Sequence, residues 1–133
     1  MMVRAPAIAV LVAAFGACGI SEPTIVIEAS GNQFRFHGYR DGRAPTLNRI
    51  NVNSVDASSR SIDPVVCLLD ARTDRDGEPV ASWTYGSELP TLAIQQCRPL
   101  APRSWYRIGV SGMGHGNSLF FTDAQGNVTV GSR

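Results

Sequence analysis

Apolar residues along this chain come in short strand-like stretches, several of them alternating with polar ones. Short runs of β-branched and aromatic residues recur between clusters of Gly, Asn, Asp and Pro, the pattern of strands joined by turns. The first run is 24–28 (TIVIE) and the second 33–36 (QFRF), separated by the turn signal Ser30-Gly31-Asn32. The run 47–55 alternates less regularly, and 65–69 (VVCLL) is continuously apolar, as in a strand covered on both faces. It leads through Asp74-Arg75-Asp76-Gly77-Glu78, whose Asp-Gly pair predicts a hairpin, to 80–85 (VASWTY). Runs at 92–96 and 104–111 come next. Those at 117–122 and 127–130 close the chain around Asp123-Ala124-Gln125-Gly126, a further hairpin turn. No segment combines a sustained helical period with a cap at each end. Eight or nine strands at this spacing predict an all-β antiparallel sandwich or small barrel.

The first twenty residues break the pattern. Arg4 is the only charge before Glu22, and the 11 residues from Ala5 to Phe15 are apolar throughout. A bilayer-spanning helix needs about 20 such residues, so the stretch is too short for a permanent span. A buried amphipathic helix would need a polar face, and there is none. A basic start, a short apolar core and then small residues predict a secretory signal peptide. Phe15-Gly16-Ala17-Cys18-Gly19 resembles the lipobox of bacterial lipoproteins, with Phe15 where that family usually has Leu and Pro6 unusual in the apolar core. The resemblance implies that residues 1–17 are removed and that Cys18 is acylated, with 18–23 as anchor and linker before a domain at 24–133. By the same resemblance, Gly19 implies sorting to the outer membrane. Ordinary cleavage nearby, releasing a soluble periplasmic protein, is the rival.

Composition narrows the chemistry. The 133 residues make one domain, and 12 basic residues against 11 acidic ones give no reason to expect nucleic acid or another polyanion. All 12 basic residues are Arg. A chain without Lys has no Schiff-base lysine, no P-loop lysine, no Ser-x-x-Lys hydrolase pattern and no kinase lysine. Two His and three Cys leave little for a protein-only zinc site. With Cys18 acylated or cut away, Cys67 and Cys97 are left as a pair in an oxidising compartment and are expected to form a disulfide.

The stretch Leu100-x-Pro102-x-Ser104-x-Tyr106-x-Ile108-x-Val110 resembles the sixth strand of fibronectin type III and related immunoglobulin-like domains. The resemblance implies a single immunoglobulin-like β-sandwich with Tyr106 as its tyrosine corner, the ring inside and the hydroxyl bonded back to the loop backbone. Alternation puts Tyr106, Ile108 and Val110 on the core face and Trp105, Arg107 and Gly109 outside. The chain departs from true immunoglobulin domains in its cysteines. Cys97 precedes the tyrosine instead of following it, so the standard inter-sheet pin is not expected.

Candidate chemistry is thin. The loop 112–116 (GMGHG) lacks the following helix that a phosphate cradle needs, and reads as a flexible strand connection or a recognition loop. A blue-copper site needs Cys and His close together on one loop, but Cys97 and His115 are far apart and Met113 precedes the histidine. A looser copper site on His37, Met113 and His115 stands as the alternative function. Asp74-Arg75-Asp76-Gly77 fails as a calcium loop, with Arg72 at the first carboxylate position and Trp83 at the closing one. Gly109-Val110-Ser111-Gly112-Met113 misses the nucleophile elbow, and no His-Glu-x-x-His occurs. Glu28 and Asp41 near His37 have no oxyanion hole to work with. Neither an enzyme nor a cofactor is expected.

The better clue is Trp105 beside Arg107, residue types enriched at the energetic centres of interfaces. Trp83 and Tyr85 read as core. Asn127-Val128-Thr129 is a glycosylation sequon that a bacterial envelope protein ordinarily leaves unused. The sequence thus predicts a non-catalytic binding or structural module, tethered to membrane by its lipid. Its expected partner is an envelope protein or a glycan, met by Trp105 and Arg107 or by the Met113/His115 loop.

Overall fold

Period-two burial is what the strands show. In β1 (Ile25–Ser30), Ile25 and Ile27 point inward, and in β2 (Gln33–Gly38), Phe34 and Phe36 do. The computed structural model describes residues 23–56, 61–72 and 77–131, with backbone only at 61–64. The signal segment, Cys18 and residues 73–76 lie outside the described residues. Seven more strands follow: β3 (Leu47–Val55), β4 (Ser61–Ala71), β5 (Ser82–Thr84), β6 (Leu92–Cys97), β7 (Trp105–Gly112), β8 (Gly114–Thr122) and β9 (Val128–Val130). Among the described residues there is no helix.

The strands form two antiparallel sheets, one of three in the order β1-β2-β5 and one of six in the order β6-β4-β3-β7-β8-β9. This is the β-sandwich expected from the alternation. β7 lies beside β3, and β5 beside β2, the exchange of strands between sheets that defines an immunoglobulin-like arrangement. The Tyr106 strand is the seventh in chain order, because β6 has been added at the edge beyond β4. The sheets are joined at their corners by bridges between Thr24 and His115, Gly31 and Val128, and Thr46 and Pro79.

Two local expectations are corrected. The Asp-Gly pair does not make a hairpin of β4 and β5, since β4 pairs with β3 and β6 while β5 pairs with β2 in the other sheet. That connection is a crossover. Nor is 65–69 apolar because both faces of its strand are covered. Val52 pairs with Cys67 and Asn53 with Val65, so Val66 is the extra residue of a bulge. The bulge turns Val66 and Cys67 inward together, and Leu68 stays half-exposed on the outer face.

Between the sheets, the Phe34 ring stacks on Trp83 at 5.8 Å and meets Phe120 edge-on at 5.1 Å. Trp83 is core, as expected, and its indole N–H donates to the Ser87 carbonyl at 2.7 Å. Tyr85 is half-buried, and its hydroxyl donates to the Arg98 carbonyl at 2.7 Å. Burial, reinforced by Tyr106, pushes that hydroxyl's pKa up, so it remains a donor at any working pH. Cys67 and Cys97 form a disulfide across neighbouring strands of one sheet, β4 and β6, and do not pin the two sheets together.

β6 is an outer edge of the larger sheet, where an unpaired strand would expose a row of N–H and C=O groups. The Glu88 carboxylate accepts the Ile94 N–H at 3.0 Å and a second hydrogen bond from Arg72 at 3.0 Å. These bonds, that from Ile94 first, hold the Glu88 carboxyl below the usual carboxylate range.

Tyr106 is buried, and its hydroxyl accepts the Ala101 N–H at 2.9 Å, the geometry of a tyrosine corner. Thr122, fully buried on β8, completes the corner. Its hydroxyl donates to the Ala101 carbonyl at 2.6 Å and accepts from the Ser104 N–H at 2.9 Å. Tyr106→Phe keeps the packing and leaves the Ala101 N–H without that acceptor. Urea unfolding should show a loss of about 1–2 kcal/mol with an unchanged denaturant slope.

Candidate functional site

The outer face of β3, β7 and β8 carries the residues that alternation placed outside. Because Tyr106 and Ile108 are buried, Trp105 and Arg107 must project the other way, and both are half-buried there. The register pairs Trp105 with Phe121 and Arg107 with Leu119. The Trp105 and Phe121 rings lie 5.2 Å apart in a tilted pair, and Arg107 donates to the Asn117 side-chain oxygen at 2.9 Å. On the β3 side, Asn51 donates to Asn53 at 3.0 Å. A side chain at Gly109 would begin 3.1 Å from the Asn51 oxygen, so the glycine makes room for an amide lying flat across β7. The result is a shallow polar array with an aromatic pair at one end.

Trp105 also walls an open recess of about 520 Å³ with Ser54, Val55, Asp56, Ala101, Ser104 and Tyr106. A second recess on the same face, near the opposite ends of β3 and β7, holds the Arg49–Asp70 ion pair at 2.9 Å, so its charges are matched to each other. Small-molecule sites are mostly apolar and enclosed, whereas both of these are open, the first with a mixed apolar and polar lining and the second with a mainly polar one. They suit the flat contact of a macromolecule or an extended chain.

The structure brings Trp105 and Arg107 together but keeps Met113 and His115 away from them. β7 is eight residues long, so at about 3.4 Å per residue its two ends are separated by roughly 24 Å. Met113 is exposed at the turn after β7, and His115 is exposed at the start of β8. The backbone of that turn is held to two neighbouring segments. The Met113 N–H donates to the Thr46 carbonyl at 2.9 Å, and the His115 N–H donates to the Pro23 carbonyl at 3.0 Å.

Its glycines allow neighbouring backbone to pass. A Cβ at Gly112 would fall 2.2 Å from the Thr46 carbonyl oxygen, and one at Gly116 would fall 2.2 Å from that of Ile25. Gly114 adds a φ of +115° beside Pro23, a conformation that L side chains rarely adopt. The segment is a hairpin connection with a positive φ at Gly114, as expected, and Gly112 and Gly116 add a second use of glycine: they face a passing backbone on one side, while Met113 and His115 face solvent on the other.

His37 lies on β2 with Gln33 and Arg35, on the outer face of the three-stranded sheet, 3.7 Å from the Glu28 carboxylate. His115 lies on the outer face of the other sheet, so the residues of the copper alternative occupy different faces. Among the described residues no group of three or more His, Cys, Asp or Glu is placed to hold a metal ion. Among them also, no helix is long and apolar enough to cross a membrane.

Sequence reasoning missed Phe121, Asn117, Asn51 and Tyr39. Alternation along β8 puts Phe121 outside, but its pairing with Trp105 depends on a register that neither strand states alone. Tyr39, exposed just after β2, gave no periodic signal because it sits in a turn. A scan of known protein families found no match to the chain, and searches of curated proteins and of solved structures found none either.

Proposed function

We propose that this chain is a non-catalytic binding module of the bacterial cell envelope. In this reading its first 17 residues direct export, and Cys18 is acylated and tethers the domain on the periplasmic side of the outer membrane. The partner is an envelope protein or a glycan, engaged by the outer face around Trp105 and Arg107. The observation that carries the reading is the Trp105–Phe121 pair on an outer sheet face beside an open recess. Aromatic and arginine side chains placed outside the core are characteristic of interface centres, where they supply large contact area at low entropic cost. The tether leads to Pro23, at the opposite end of the sandwich from Trp105, so the face points away from the anchor.

Crosslinking in intact cells, followed by mass spectrometry of the attached species, tests this. Trp105→Ala should abolish the crosslinked product while the domain still folds, with a stability loss of about 1 kcal/mol for the aromatic pair plus the share of the half-buried ring. Crosslinks unchanged by both Trp105→Ala and Arg107→Ala would remove this face from the function.

A further inference from the structure

Two large hydrophobic side chains are exposed among the described residues: Tyr39 at 68% and Met113 at 72%. Both sit at the end of the sandwich where the N-terminal segment enters. The Tyr39 N–H donates to the Thr24 carbonyl at 3.0 Å, and Thr24 is bridged on its other side to His115. Tyr39 and the 112–116 turn therefore flank the first residues of β1. At about 4.8 Å per strand spacing, their backbones lie roughly 10 Å apart.

The turn after Tyr39 adds positive charge. The Arg40 guanidinium lies over the Tyr39 ring, 5.9 Å from its centroid, and Arg43 follows three residues later. The one acid between them, Asp41, is exposed as well and accepts the Arg43 N–H at 3.0 Å, so the turn keeps a single net positive charge. Tyrosine with arginine is the combination that favours a membrane–water interface, the ring at headgroup level and the cation at the phosphates.

The length of the segment before β1 fixes what this end meets. Cys18 precedes Pro23 by five residues, a span of at most about 18 Å when fully extended. With acyl chains on Cys18, the Tyr39/Met113 end is held within that distance of the bilayer and the Trp105 end points away from it.

We propose that this end of the sandwich is a bilayer-contacting surface. Tyr39 and Met113 enter the boundary between headgroups and acyl chains, and Arg40 and Arg43 lie against lipid phosphates. The tether and this surface together fix the domain's orientation, which a lipid anchor alone would leave free. The proposal rests on the acylation in the reading above but not on the partner assigned to Trp105.

The test uses the full chain purified from the envelope, reconstituted in vesicles of phosphatidylethanolamine and phosphatidylglycerol that carry brominated acyl chains. In the parent, Trp83 is buried and Trp105 is at the far end, so bromine should leave the emission unchanged. In Met113→Trp the added indole should lose roughly half of its emission, since interfacial side chains sit only about 5–10 Å deep. Tyr39→Trp serves as a second reporter with the same expectation.

Mass spectrometry of the N-terminal peptide separates the two readings. Acylated Cys18 with both reporters no more quenched than the parent overturns the surface and keeps the anchor. Unmodified Cys18 with quenching still present overturns the anchor and keeps the surface. Unmodified Cys18 without quenching overturns both.

Discussion

Phe34→Ala is expected to cost about 3–5 kcal/mol of folding stability, a large part of the roughly 5–15 kcal/mol typical of a single domain. Phe34 is completely buried and belongs to the three-stranded sheet, while its edge-on neighbour Phe120 belongs to the six-stranded one. Its other neighbour, Trp83, is held by a hydrogen bond from the indole to Ser87 and cannot slide into the space. Removing the ring therefore leaves a cavity that neither sheet can close without leaving its register. Urea denaturation should show a lower midpoint with the slope kept. Phe121→Ala, on the half-buried outer face, should cost clearly less. Equal losses at the two positions would mean that Phe34 is not the keystone of the contact between the sheets.

The second large effect is expected from the disulfide. Replacing Cys67 and Cys97 together by Ala should destabilise the domain by about 3.5–4 kcal/mol, because the unfolded chain regains the freedom of the closed loop. Dithiothreitol should lower the wild-type midpoint by a similar amount and leave the double variant unmoved. Cys67 is fully buried and Cys97 packs against the core, so the loss includes some packing. A reductant effect on wild type far below that size would show that the β4–β6 pairing closes the loop without the bond.

Much of this fold is legible in the sequence because side-chain alternation is a local property. The nine strands lie on or around the nine runs read from the sequence, although β4 begins before its run and β6 holds a single β-branched residue, Ile94. The inward positions of β7 follow from Tyr106, Ile108 and Val110, and the outward ones from Trp105 and Arg107. Thiol parity was enough to anticipate the disulfide. What alternation cannot give is the neighbour. It places Val80 to Tyr85 as a strand, yet nothing there says that β5 crosses to β2 instead of turning back on β4.

The candidate face was half legible for the same reason. Trp105 and Arg107 could be placed outside from their own strand, but Phe121, Asn117 and Asn51 join them only through the β3–β7–β8 register. The glycines of 112–116 are only half legible because one residue type serves two needs, the positive φ of a hairpin at Gly114 and close approach of backbone at Gly112 and Gly116. Their spacing held the distinguishing signal: glycine at every second position marks one side of a strand with something pressed against it. Thr122 left no such trace. A buried threonine that completes a tyrosine corner looks, in sequence, like any other strand threonine.

The Glu88 carboxylate on the Ile94 amide has a consequence for how copies of this chain behave when crowded. An open strand border is where identical molecules zip together into fibres, each adding its own row of hydrogen bonds. Here a side chain, held in place by its ion pair with Arg72, fills the slot that an incoming strand would need. At the opposite border β9 has only three residues, too short a template for a newcomer to grip. Both margins of the larger sheet therefore offer an incoming strand little to pair with.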